Sequence, residues 1–173
     1  MRQYRNTKTK VEERDEWRTP KWLFRWLDEQ YHFDVDLAAN DANHLCVSFF
    51  TKEHSALDFT WLSYTTGFCN PPYSNIEPFY RKAVEQARLG FTSVFIVPTP
   101  NADMRDLLVM ESASQIIYIV GRVNFLRPDG SECTGNMRGT CVIVFSPNPT
   151  GDAPLLSWRR RDTLMGTYSG GSL

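Results

Sequence analysis

A chain of 173 residues with 42% hydrophobic and 13% aromatic content can bury one sizeable core, which predicts a single domain. No apolar run approaches membrane-spanning length, and the polar, basic N-terminus is unlike a signal peptide, so membrane and secreted classes do not fit. Cys46, Cys69, Cys133 and Cys141 lack CxxC spacing, which argues against zinc and disulfides and for reduced thiols in a cytoplasm.

The formal net charge of −1 hides an uneven distribution. Arg2, Arg5, Lys8, Lys10 and Arg14 make residues 1–14 a basic arm, residues 15–58 are acidic, and Arg159-Arg160-Arg161 form a second basic cluster. Gathered on one face, such groups bind a polyanion; scattered, they are solvated termini, and both readings stay open.

In chain order, Thr19-Pro20 predicts a helix start, with a capping hydroxyl and proline at the first helical position. Trp22, Leu23, Trp26 and Leu27 supply the buried face of that helix. Phe33–Leu37 then alternates like a strand and runs into Ala38-Ala39. A short strand is expected near Cys46–Phe50. Gly67-Phe68-Cys69 leads into Asn70-Pro71-Pro72-Tyr73, after which Ser74 is expected to cap a helix carrying Ile76, Phe79, Tyr80, Ala83, Val84 and Ala87. Gly90 closes it. Strands are predicted at Thr92–Val97, Ile116–Val120 and Cys141–Phe145, with another at Val123–Leu126. A short helix capped by Asn101 is expected to end near Met110, and residues 147–173 read as a partly irregular tail. The pattern predicts an α/β sheet, mostly parallel, with antiparallel closing strands. Ligands bind outside the carboxyl ends of such strands, which brings Asp36-Leu37-Ala38 and Asn70–Tyr73 to one edge.

Asn70–Tyr73 carries the clearest chemistry. Two prolines fix the backbone and remove two donors, leaving a rigid turn of carbonyl acceptors beside an aromatic ring. That combination suits a planar group bearing an NH₂, held by the Asn70 and Pro71 carbonyls and stacked on Tyr73. A plain Pro-Pro turn is the alternative. Asp36 offers a carboxylate beside small residues that a ligand can approach, or it bonds its own turn. There is no GxGxxG and no phosphate-cradling loop.

Asp15-Glu16-Trp17-Arg18-Thr19-Pro20, Asp36-Leu37-Ala38-Ala39 and Asn70-Pro71-Pro72-Tyr73-Ser74, in this order, resemble the phage-type DNA N-6-adenine methyltransferases (the Dam family of bacteriophages and prophages). Ser55-Ala56-Leu57 with Trp61, and Gly121-Arg122 with Phe125, extend the resemblance over roughly residues 15–146, the expected methyltransferase domain. The resemblance implies a Rossmann-like sheet, S-adenosylmethionine as methyl donor, DNA as partner, no metal, and a cytoplasmic setting, that of the host if the chain is phage-encoded. It assigns Asn70, Pro71, Pro72 and Tyr73 to catalysis. Asp36 would meet the methionine part of the donor, with Ala38 and Ala39 lining its pocket and Asn70 beside it. Trp17, Thr19 and Pro20 would pack over the same cofactor. Residues 55–58, including Leu57 and Asp58, fall where the adenosine half is handled. Here the chain departs from the pattern, because Thr60 rather than an acidic residue precedes Trp61, with Asp58 as its stand-in.

Asp36 and Asn70 are 34 positions apart, while one βαβ unit takes about 30 residues or more. The sheet is therefore expected to be trimmed between them. No segment is large enough for a substantial target-recognition domain. DNA contact is expected instead from Ser74 and from residues around the 127–139 loop: Arg122, Asn124, Arg127, Asn136 and Arg138. An exposed loop with incidental charge is the alternative. A glutamine or RNA adenine N-methyltransferase, or a catalytically silent DNA-binding protein, are rival readings. Target sequence and oligomeric state are not legible.

Overall fold

The computed structural model describes residues 11–100, 104–133, 138–147 and 153–168. Short α1 (Val11–Asp15) precedes α2 (Lys21–Tyr31). The strands are β1 (Val35–Asp36), β2 (Ser48–Phe49), β3 (Thr66–Cys69), β4 (Thr92–Pro98), β5 (Gln115–Val120), β6 (Thr140–Phe145) and β7 (Leu155–Arg160). Helix α3 (Glu77–Arg88) joins β3 to β4, α4 (Met104–Ser112) joins β4 to β5, and α5 (Arg161–Tyr168) follows β7.

The strands form one sheet in the order β2-β1-β3-β4-β6-β5-β7. Only β6 runs against its neighbours, β4 and β5; every other pair is parallel. The antiparallel closure expected of the last strands thus narrows to a single strand. Burial alternates along the strands as this layering requires. Val94, Ile96, Ile117, Ile119, Val142 and Val144 face Leu23, Trp26 and Leu27 of α2 and Leu164 of α5. Phe95, Val97, Ile116, Ile143 and Phe145 face Phe79, Tyr80, Ala83 and Val109 from α3 and α4. Being covered on both faces is why β4 reads as a continuous apolar run.

Between β1 and β3 no helix forms; two-residue β2 and a chain of turns replace it. Polar side chains hold those turns and compete with helix. Asn43 Oδ1 accepts the Asn40 N–H at 2.7 Å, and Asn40 Oδ1 accepts that of Ala42 at 2.9 Å. Trp61 anchors the far end, fully buried, with its indole N–H on the Ala56 carbonyl at 2.8 Å. The sheet is trimmed where the spacing required it.

One expected strand does not form: Val123–Leu126 makes only isolated bridges, Leu126 with Arg18 and with Glu132. Within the tail expected to be partly irregular, residues 155–168 are regular: β7 pairs with β5 through six residues and α5 packs on α2. Its sequence hides this: β7 is an edge strand with Leu155, Leu156 and Trp158 exposed, so no burial period marks it. Asn101, the expected cap of α4, lies outside the described residues.

Gly67 lets β3 sit close under its neighbours. A Cβ there would meet Phe91 Cζ at 2.8 Å and Leu37 Cδ1 at 3.0 Å. Gly67→Ala should lower stability by about 1–3 kcal/mol through overpacking, measured by urea denaturation. An unchanged midpoint would show that Phe91 and Leu37 yield without cost.

Candidate active site

At the end of β3 the chain enters Asn70, buried Pro71 and Pro72, the last with φ −62° and ψ 116°. Neither proline can extend the ladder. Half-buried Asn70 donates from Nδ2 to the Trp17 carbonyl at 2.9 Å. A carbonyl only accepts, so this contact orients the amide and leaves Oδ1 as an acceptor for something else. Tyr73 opens a 3-10 turn, Tyr73–Asn75, and its hydroxyl donates to the Ile96 carbonyl at 3.4 Å. Burial pushes the Tyr73 phenol well above its ordinary pKa, so it stays neutral. Its ring meets Phe125 edge-on, centroids 6.3 Å apart, while Phe125 stacks with Trp17 at the same separation. Phe125 thus joins two motifs far apart in sequence.

The end of α1 and the residues after it meet this turn at two points and the 121–132 segment at a third. Asp15 accepts the Ser74 backbone N–H at 3.1 Å and also the Ser74 hydroxyl. Trp17 takes the Asn70 amide, and Arg18 exchanges two backbone bonds with Leu126, at 2.7 and 2.9 Å. Ser74 therefore does not cap α3; Ile76 holds that position, with no side-chain cap, because the Ser74 hydroxyl is already committed to Asp15. Asp15 was not legible as a partner of this turn: its acidity fits any exposed segment, and only the crossing brings it there.

Thr19 also departs from expectation. Pro20 is the N-cap of α2, and no side chain caps the helix. The Thr19 hydroxyl is buried without a hydrogen-bond partner, as is the Trp17 indole N–H. Each such orphan costs about 1–3 kcal/mol. Arg14 Nε, Ser93 Oγ and Ser157 Oγ are unpartnered as well. Pro20, next to Thr19, is buried.

Asp36 closes β1 and is 2% exposed. Its Oδ1 accepts the Ala38 N–H at 3.3 Å and Oδ2 that of Leu45 at 3.2 Å. The carboxylate thus organises its own turn, the alternative raised by the sequence, while each oxygen keeps a lone pair for a ligand. Desolvation by burial raises its pKa to about 6, against the pull of the two N–H groups and of His44. Ala38 and Ala39 are half-buried beyond it. Leu57 packs on the core, and its N–H reaches Ser55 Oγ at 3.2 Å. Asp58 is exposed, with its N–H on the Ser55 carbonyl.

The expected DNA contacts separate. Arg122 and Asn124 line a cleft of about 720 Å³ behind the Arg18–Leu126 bridge. Arg127 is occupied by its own turn, donating to Ser131 Oγ at 3.2 Å and the Glu132 carbonyl at 2.8 Å. Arg138 is exposed, and Asn136 lies outside the described residues. The described residues contain no cluster of three or more metal-ligating side chains, and no helix among them is long and apolar enough to cross a membrane.

Comparison with known proteins agrees with this assembly of motifs. The family model described as DNA N-6-adenine-methyltransferase (Dam) matches residues 6–168. A DNA N-6-adenine-methyltransferase of Escherichia phage T1 is 27% identical over 161 residues, spanning 83% of this chain and 68% of the relative. One from Haemophilus phage HP1 is 30% identical over 147 residues, spanning 80% of this chain and 83% of the relative.

Asp36 makes the site pH-sensitive. A carboxyl with a folded pKa near 6, raised from 3.8, contributes stability below 3.8 that is lost as pH rises through 6. Its ionised form then costs about 3 kcal/mol at neutral pH. A carbon-13 carboxyl titration of the free protein should show one aspartate, absent in Asp36→Asn, with a midpoint near 6. A midpoint near 3.8 would refute the burial argument.

Proposed function

Since the chain belongs to the DNA N-6-adenine-methyltransferase (Dam) family, we propose that it transfers a methyl group from S-adenosylmethionine to the exocyclic amine of adenine in DNA, at the Asn70–Tyr73 turn. The observation that carries this is the Asn70 amide, held by the Trp17 carbonyl with Oδ1 left to accept.

An adenine amine is a poor nucleophile because its lone pair is delocalised into the ring. Asn70 Oδ1 and the Pro71 carbonyl accept hydrogen bonds from its two N–H groups and favour a pyramidal nitrogen, which frees the lone pair to take the methyl; the donor sulfur would keep the pair of the broken bond, and the nitrogen releases one proton to solvent. Positioning and electrostatics supply the catalysis, and no covalent enzyme intermediate is needed. Tyr73 faces the base, which must leave the duplex to be reached. Pro72 keeps the turn rigid, so little reorganisation is needed when the base arrives.

S-adenosylmethionine supplies an electrophilic sulfonium methyl. The residues present suit it. Asp36 is an anion for the donor's amino group, and a bound cation would offset the desolvation that raises its pKa. The unpartnered Thr19 hydroxyl and Trp17 indole N–H offer hydrogen bonds to the donor's polar atoms. Ala38, Ala39 and Pro20 give close walls, and Leu57 and Asp58 stand for the adenosine side.

The decisive assay incubates the protein with methyl-tritiated S-adenosylmethionine and DNA, RNA or protein. Label should appear as N6-methyladenine in DNA; label in cytosine, RNA or glutamine would overturn the proposal. Asn70→Ala should abolish turnover and leave donor affinity within a few-fold, whereas equal loss of both would remove Asn70 from its role. Asp15→Ala frees Ser74 and should lower kcat by roughly tenfold to a hundredfold, with donor Kd little changed. A kcat within twofold of the parent would mean that the turn holds its shape unaided.

A further inference from the structure

We infer that the cleft between α2, α5 and the 121–132 segment is a phosphate-binding channel that carries the DNA strand to the Asn70 turn. This rests on DNA being the substrate and names a surface for it. The sequence named Arg122 and Asn124 beside the 127–139 loop for that contact; the tertiary structure sets these two in a cleft with Lys21, Arg25 and Arg161.

Topology brings the channel and the turn to the same edge. Lys21 opens α2, which leads back into β1, so the start of this helix lies at the carboxyl ends of the parallel strands. Arg122 follows β5 by two residues, and Arg161 follows β7, which is parallel to β5. Asn70 leaves β3 at that edge as well. A shared wall links the two places. Phe125 is buried against Trp17 and Tyr73, while its neighbours Asn124 and Leu126 line the cleft. One backbone bridge, Arg18 with Leu126, divides them.

Lys21, Arg25, Arg122 and Arg161 line the cleft against the carboxylates of Glu132 and Asp162. Both carboxylates are already engaged. Glu132 accepts the Asn124 amide at 2.9 Å, and Asp162 takes the Arg161 guanidinium at 2.5 Å. Arg161 also donates to the Arg122 carbonyl at 2.8 Å, and Arg25 to that of Tyr168 at 3.3 Å. These two arginines build the floor. Gly121, with φ +109°, lets Arg161 lie there; a Cβ would come within 3.1 Å of the Arg161 Cβ. Lys21 and Arg122 differ: both are exposed, and neither has a hydrogen bond or ion pair from its side chain among the described residues. They are the cations ready to displace counterions from DNA.

Spread charge favours a strand over a single anion. Lys21 and Arg25 are one helical turn apart, about 6 Å along the axis, and Arg122 approaches from another element. Half-buried Trp22, in the same wall, adds an aromatic surface of the kind that tolerates any base.

The test measures binding of a mixed-sequence duplex across a salt series, without turnover. Lys21→Ala with Arg122→Ala should weaken binding at least tenfold and reduce the slope of log K against log salt by about 1.8, or about 0.9 per phosphate contact. The charge-keeping pair Lys21→Arg with Arg122→Lys should retain the slope. Calorimetry with S-adenosylmethionine should give the parent's affinity in both, which excludes misfolding. Arg88→Ala, on α3 away from the cleft, serves as the charge control. An unchanged slope in the alanine pair overturns the channel even where the parent methylates adenine, as does an equal per-charge loss in Arg88→Ala. A lowered slope in a protein that forms no N6-methyladenine supports the channel and overturns the proposed reaction instead.

Discussion

The hydrogen bond from Asn70 Nδ2 to the Trp17 carbonyl decides how the candidate active site presents itself. An amide free to flip could offer either an N–H or a carbonyl to a substrate. Tied to a group that can only accept, it offers the carbonyl. The bond needs a backbone carbonyl from a segment 53 residues earlier, so that segment must cross the carboxyl edge of the sheet. The Asp15–Ser74 and Arg18–Leu126 contacts hold it there, one on each side.

This crossing also explains the lining of the site. With residues 15–20 lying over the turn, Trp17 and Phe125 stack and Tyr73 meets Phe125 edge-on. The aromatic group closes one side, and the Asp36 turn stands along the same sheet edge. Two buried polar atoms without partners, Thr19 Oγ1 and Trp17 Nε1, sit in the crossing segment; Ser93 Oγ in β4 and Ser157 Oγ in β7 are unpartnered elsewhere in the sheet.

Trimming has consequences elsewhere. The chain from β1 to β3 replaces helical crossovers with turns pinned by Asn40, Asn43 and Trp61. Space saved there is balanced at the other end, where β7 and α5 widen the sheet. That addition builds the far wall of the basic cleft, so the compact fold gains a charged surface without a separate domain. Arg159 and Arg160 also put charge on the exposed edge strand, which discourages edge-to-edge pairing.

Local chemistry was legible from the sequence wherever a residue's own bonds determine the outcome. The Pro-Pro turn, the buried run of β4, the apolar face of α3 and the trimming between Asp36 and Asn70 all follow from backbone restriction, periodicity or spacing; that a helix is what went missing does not. Legibility ended where a distant partner decides. Ser74 and Thr19 look like helix caps, yet Asp15 claims one hydroxyl and the other is buried with no partner. Val123–Leu126 has strand propensity but finds only bridges, and β7 lacks a burial period because no element covers it. Arg127 looks free until its turn closes on Ser131 and Glu132. The sequence by itself determined the family, the sheet class and the acceptor-rich turn, since these depend on residue type and order. Tertiary structure alone decided which way Asn70 points and which cations remain unpaired among the described residues, because both depend on contacts between segments that only folding brings together.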